Sequence, residues 1–194
     1  MIEIPLFPLM TVLYPDGPLP LRIFEPRYLG MISRCLKADE GFGVLLIKEG
    51  SEVGEADTYD VGTIAKIVDW HQESDGLLGI TGRGTQRFRV DAVERQSDGL
   101  YIGYVEPLEP EESVAVAEEY GSLQTLLKGI LEELDEHYSG VPIAYDDASW
   151  VGYRLAELLP MPMATKQIML EMSGARERLS MLRPHVDNVA ERVS

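Results

Sequence analysis

The sequence predicts an α+β chain: a closed or nearly closed β-barrel with one early helix over residues 1–110, then a helical bundle over 111–194. Three observations predict it. The apolar runs of the first 110 residues are short and punctuated by glycine and proline, as strands joined by tight loops are. Two turn signals, "ESDG" at 73–76 and "QSDG" at 96–99, each sit between strand-like runs and predict a three-stranded meander. After Pro107 and Pro110 the apolar spacing changes from the alternation of strands to the 3-and-4 spacing of helices.

Strands are expected at 2–7, 20–24, 43–48, 61–71, 77–82, 85–94 and 100–106. The Asp-Gly pairs of the two turns would supply the positive backbone angles that hairpin turns require. In the run 85–94, Gln86, Phe88, Val90 and Ala92 alternate with Arg87, Arg89 and Asp91, the pattern of a half-buried strand. The glycines of "GITGRGTQRF" at 79–88 read as a bend between two strands. That many short strands favour closure, because closure removes exposed edges. Pro26 ends the second strand and opens a helix near 26–38, with Tyr28, Leu29, Ile32, Cys35 and Leu36 as its buried face. A long helix is expected at 111–138, since Val116, Tyr120, Leu123, Leu127, Ile130 and Leu134 form one stripe. Further helices are expected at 147–159, with Val151, Leu155 and Leu158 inward, at 164–173, and from 175 onward. In the last, Leu179, Leu182, Val186, Val189 and Val193 keep the spacing and Pro184 must kink or divide it. Such stripes also suit a coiled-coil pair, so a homodimer stays open.

Composition narrows the function. The 33 acidic and 17 basic residues leave a net charge of −16, a field that repels phosphate backbones and argues against nucleic acid. The acidity is concentrated in the middle: residues 111–147 carry ten acids and one base. It reads as a solubilising surface, or as an attraction for basic or unfolded partners. No run is long and apolar enough to span a bilayer, and no targeting segment is evident, so a cytoplasmic location without a membrane partner is the expectation.

Each pattern that would carry catalysis is missing. His71, His137 and His185 lack metal-ligand spacing, so no metal and no cofactor is expected. Cys35 is a lone thiol that reads as core filler. There is no G-x-S-x-G, and the glycines at 79–84 fit no phosphate-binding loop. Asp146 and Asp147 precede a helix start, where acids cap it. Glu25 and Arg27 flank Pro26 at a strand-to-helix corner, where Arg27 would pair with an acid of the barrel. Recognition chemistry remains. Tyr14, Trp70, Tyr145 and Trp150 are the candidate contacts for a peptide, in a groove between barrel and bundle, because such rings suit protein contacts.

Four blocks then carry a family resemblance: "IPLFPLMTVLYPDGPLPLRIFEPRYLGMI" at 4–32, "VGTIAKIVD" at 61–69, "ITGRGTQRFRV" at 80–90 and "LAELLPMPMATKQIMLEMSGARERLSML" at 155–182. In this order they resemble the N-terminal substrate-recognition domain of the ATP-dependent Lon protease, in the form that also occurs as a free-standing protein. The resemblance implies a PUA-like pseudo-barrel followed by a helical bundle. It further implies binding of unfolded or flexible polypeptide segments, with Lon itself as a prospective partner, and no catalytic residue. A chain ending at Ser194 leaves no room for the ATPase module or for the serine–lysine pair of the protease, so it is expected not to be an enzyme. Two rival readings stay open: a hydrolase whose site assembles from distant residues, and an RNA-binding PUA-like domain.

Overall fold

A computed structural model describes residues 1–134, 138 and 140–193, with the side chains of 187–193 left out. The order of elements is β1 (Ile2–Leu9), β2 (Pro18–Ile23), α1 (Pro26–Ala38), β3 (Phe42–Gly50), β4 (Ala56–Thr58), β5 (Val61–Gln72), β6 (Leu78–Arg95) and β7 (Tyr101–Pro107). A 3-10 turn (Glu118–Tyr120) follows, then α2 (Gly121–Glu133), α3 (Ala148–Leu158), α4 (Met163–Glu171) and α5 (Ala175–Val193). The chain divides into two compact units, Met1–Glu109 and Pro110–Ser194.

In the first unit β1 pairs antiparallel with β7 and parallel with β3, so the path β1–β7–β6–β5–β3 returns to β1. β2 lies beside β6, and β4 beside the end of β3. The unbroken apolar runs of β1 and β3 follow from this position, because strands buried on both faces need no polar side. Ile4 and Leu6 of β1 join Leu45, Phe88 and Val105 in one cluster, while Phe7 and Leu9 face a second that includes Phe42, Val44, Leu19, Ile23 and the inner face of α1. Phe7 stacks on Tyr28 of α1 at 3.9 Å between ring centroids. Burying each such side chain contributes about 2 kcal/mol.

The meander β5–β6–β7 forms as expected, and its two turns are built alike. Gly76 and Gly99 take positive φ, whereas Asp75 and Asp98 do not. The aspartates instead accept, through their carboxylates, from the N–H two residues on, Leu77 and Leu100. Only the glycine of each Asp-Gly pair supplies the positive angle.

Five expectations need correction. The runs 77–82 and 85–94 are one continuous strand, β6, with its irregularity taken up as bulges in the pairing to β5 instead of a bend. Gly84 does not mark a corner: a Cβ there would lie 2.0 Å from the Tyr14 carbonyl oxygen, so the position serves close approach of two backbones. Arg87 is 5 % exposed, opposite the fully buried Thr63, so the supposed solvent face of this strand is enclosed there. On α1 the buried residues are Tyr28, Met31, Ile32 and Cys35, whereas Leu29 and Leu36 are exposed. α2 begins at Gly121, not at 111, because residues ahead of the 3-10 turn are engaged in extended pairing: Ala115 bridges Asp147, and Ala148 N–H donates to Val114 O at 2.8 Å. The far end of that expected helix, including residues 135–137 and therefore His137, lies outside the described residues.

In the second unit α3 is central, and α2, α4 and α5 each pack against it. Val151 and Leu155 are buried as expected, together with Trp150, Tyr153 and Arg154, so α3 is enclosed nearly all round. α5 runs through Pro184 without dividing, and Leu179, Leu182 and Val186 are buried on it; Val189 and Val193 lie among the side chains not described.

Candidate functional site

Polar groups that could have carried catalysis have structural partners. Asp147 caps α3, its carboxylate accepting from Ser149 N–H at 2.8 Å and Trp150 N–H at 3.1 Å. Cys35 is buried, and burial pushes its thiol up from the ordinary value, away from the reactive thiolate. His71 pairs with Glu73 at 3.1 Å. Among the described residues no group of three or more His, Cys, Asp or Glu could hold a metal ion.

The Glu25–Pro26–Arg27 corner is a tie between segments of the first unit. Pro26 opens α1, and Glu25 stands at its start without capping it through the side chain. The Arg27 guanidinium pairs with Glu25 at 2.9 Å, not with a distant acid. It also donates to Gly99 O at 2.9 Å and Glu52 O at 3.2 Å, and it lies 4.6 Å from the Tyr28 ring. Arg27 thereby fastens α1 to the β6–β7 turn and to the loop after β3. Tyr28 beneath it has its hydroxyl pKa pushed up to about 12, by burial first and against the Arg27 charge.

Among the described residues of the second unit are two buried ion pairs. Arg178 of α5 grips Glu111 with both terminal nitrogens, and Tyr153 and Ser149 of α3 donate to the same carboxylate at 2.6 and 2.7 Å. Burial pushes the Glu111 carboxyl up, but the hydrogen bonds from Arg178 and Tyr153 outweigh it and hold it below its ordinary value. Arg154 meets Glu157 at 2.8 Å, and Tyr138 donates to Glu157 at 2.6 Å. There burial prevails over Arg154, so the Glu157 carboxyl is held above its ordinary value. The sequence reading missed both arginines as buried: Arg178 follows the charged Arg176 and Glu177, and Arg154, although it stands in the apolar run 150–156, is of a type that ordinarily faces water.

Of the four aromatic candidates, Tyr14 and Trp70 lie in the first unit and Tyr145 and Trp150 in the second. Tyr14 has no exposed surface and belongs to the interior. Trp150 is 5 % exposed and meets Tyr145 edge-on at 5.5 Å, while Lys128 lies over the Tyr145 ring at 5.1 Å. Trp70 stands on β5 of the first unit and is 62 % exposed, an unusual position for an indole. Its register partner is Ile80, a buried core residue, and Leu21 of β2 lies beyond Ile80. An apolar row on the sheet therefore ends at the surface in an exposed tryptophan. This is the one candidate free to touch a partner with most of its ring.

The profile of the ATP-dependent protease La (LON) substrate-binding domain matches residues 3–188. The chain belongs to that family. Lon protease of Erwinia amylovora is 28 % identical over 189 residues, and that of Escherichia coli K12 is 27 % identical over 189. Both alignments take in 93 % of this chain and 24 % of the relative, so the chain spans about a quarter of the length of these curated Lon proteases. Among solved structures, the Lon N-terminal domain protein from Xanthomonas campestris superposes with a TM-score of 0.80 at 35 % identity, over 95 % of this chain and 98 % of that one. The N-terminal domain of the Mycobacterium avium complex Lon protease superposes with a TM-score of 0.67 at 19 % identity, over 96 % and 98 %, a likeness of fold. In fold the chain thus resembles the N-terminal domains of these Lon proteins. Among its described residues no helix is long and apolar enough to cross a membrane.

Proposed function

We propose that this Lon-family chain is a non-enzymatic module that binds unfolded or flexible polypeptide segments, serving as an adaptor or competitor in Lon-type proteolysis in the cytoplasm. The observation that carries the reading is the match of the substrate-binding profile to residues 3–188. On this reading the closed ring of strands is a PUA-like pseudo-barrel, the second unit a helical bundle, and each a compact domain. Trp70 is the contact of the first unit and Tyr145 that of the second, while Tyr14 and Trp150, both buried, serve as packing, Trp150 against Tyr145. Burial of apolar groups from the bound segment supplies affinity, and the net charge of −16 favours basic segments.

The test compares one small basic protein in two states: folded, and held unfolded by reduction and alkylation of its cysteines. The unfolded form is expected to bind, more weakly as salt screens the acidic surface, and the folded form is not. Equal binding of both forms, or of neither, contradicts the proposal.

A further inference from the structure

β5 has two kinds of edge along its length. Between Thr63 and Ala65 it is paired on both sides, with Phe42–Val44 of β3 on one and β6 on the other. Beyond Ala65, Lys66–Gln72 pairs with β6 alone. The register decides which backbone groups stay open. Glu73 N–H donates to Leu77 O to close the turn, so by alternation His71 and Asp69 bond inward to Gly79 and Thr81. Trp70 and Gln72, opposite Ile80 and Leu78, then turn their N–H and C=O outward. One hydrogen bond agrees: Trp70 N–H donates not to β6 but to the neighbouring Asp69 carboxylate, at 2.9 Å.

We propose that this edge receives an extended, basic polypeptide segment as an added strand, held by the Trp70 C=O and by the N–H and C=O of Gln72, with one of its side chains on the Trp70 indole. The proposal rests on the polypeptide-binding reading above and specifies how the segment is held. Main-chain pairing suits a partner of variable sequence, because every residue except proline offers the same donor and acceptor. Charge names the partner. Exposed Asp39 and Asp69 border the edge, and its one lysine, Lys66, is already engaged by Asp39 at 3.1 Å. A second copy of this chain would bring the same acids and another −16, so self-pairing is opposed. Asp69 over the Trp70 N–H, and the register shift between Ile67 and Asp69, limit pairing to a short stretch and keep the edge from joining others indiscriminately.

The probe is a fluorescein-labelled 12-residue peptide of alternating lysine and valine, titrated by anisotropy against the whole chain. Gln72→Pro removes an outward donor without touching the inward ladder, which proline tolerates at an edge. It is expected to weaken binding about tenfold or more at unchanged thermal stability. Two versions of the peptide, N-methylated at alternate residues in opposite phase, are expected to differ: one loses binding and the other keeps it. Should Gln72→Pro fail to fold, these peptides on the unaltered chain decide. If Gln72→Pro and both methylated peptides bind as the parents do, the edge is not the site and polypeptide binding stands by another mode. If neither the peptide nor an unfolded protein binds, both readings fall. A dimer that Gln72→Pro abolishes, with no peptide binding, gives the edge to a second copy and overturns the proposal.

Discussion

Arg27 sits at the smallest scale on which the fold can be broken. Its guanidinium satisfies Glu25 and the carbonyls of Gly99 and Glu52, so Arg27→Ala leaves three acceptors short of a charged donor. The expected loss is about 2 kcal/mol, a fall of roughly 4–8 °C in Tm, with polypeptide binding by the folded chain retained. Thermal denaturation checks the first part; an unchanged Tm with binding lost would make Arg27 a contact and not a tie. Gly84 is the second sensitive residue. With no room for a Cβ against the Tyr14 carbonyl, Gly84→Ala forces β6 from that backbone, and a loss of about 3 kcal/mol or more is expected in denaturant unfolding. The capping role of Asp147 was legible in the sequence because an acid before an apolar helical run has one common local use. That Arg27 takes the acid two residues before it was not, since three segments had to be in place to aim it.

At the scale of elements, Glu111 and Arg178 hold the extended entry of the second unit to α5, with Tyr153 and Ser149 of α3 on the same carboxylate. The Glu111 carboxyl is held below its ordinary value in the fold. The sign follows: its stabilisation is complete above the unfolded-state pKa of about 4.3 and is lost as pH falls through the lower folded value. Glu111→Gln is therefore expected to lower stability at pH 7 by about 3 kcal/mol and to flatten the acid limb of a plot of stability against pH. An acid limb identical to the parent's would rule out this carboxylate as a source of acid sensitivity. These elements also show why periodicity misread residues 111–120. Val116 and Tyr120 continue the stripe of α2, but the bridge from Ala115 to Asp147 and the burial of Glu111 commit the backbone to extended form first. Tertiary pairing overrode a helical pattern. The meander was readable because its turns carry their own chemistry in Asp75–Gly76 and Asp98–Gly99. β4, three residues long and bulged against β3, carries no such signal.

For the whole molecule, charge and family point the same way: a member of the Lon substrate-binding domain family with net −16 and an exposed tryptophan at the end of an apolar row. The order of sequence blocks was enough to place the family, because several blocks in sequence are more specific than any one. The aromatic candidates were less legible, since residue type alone does not separate Tyr14, wholly enclosed, from Trp70, 62 % exposed. Which ring is free depends on where pairing stops along β5, a property of the assembled sheet. The most direct measurement is the affinity of the alkylated, unfolded basic protein for the parent chain and for Trp70→Ala, with Tm recorded for both. The parent is expected to bind, and Trp70→Ala to weaken binding about tenfold or more while Tm moves by no more than about 2 °C. Equal affinity for both chains, or no affinity for either, would contradict this expectation.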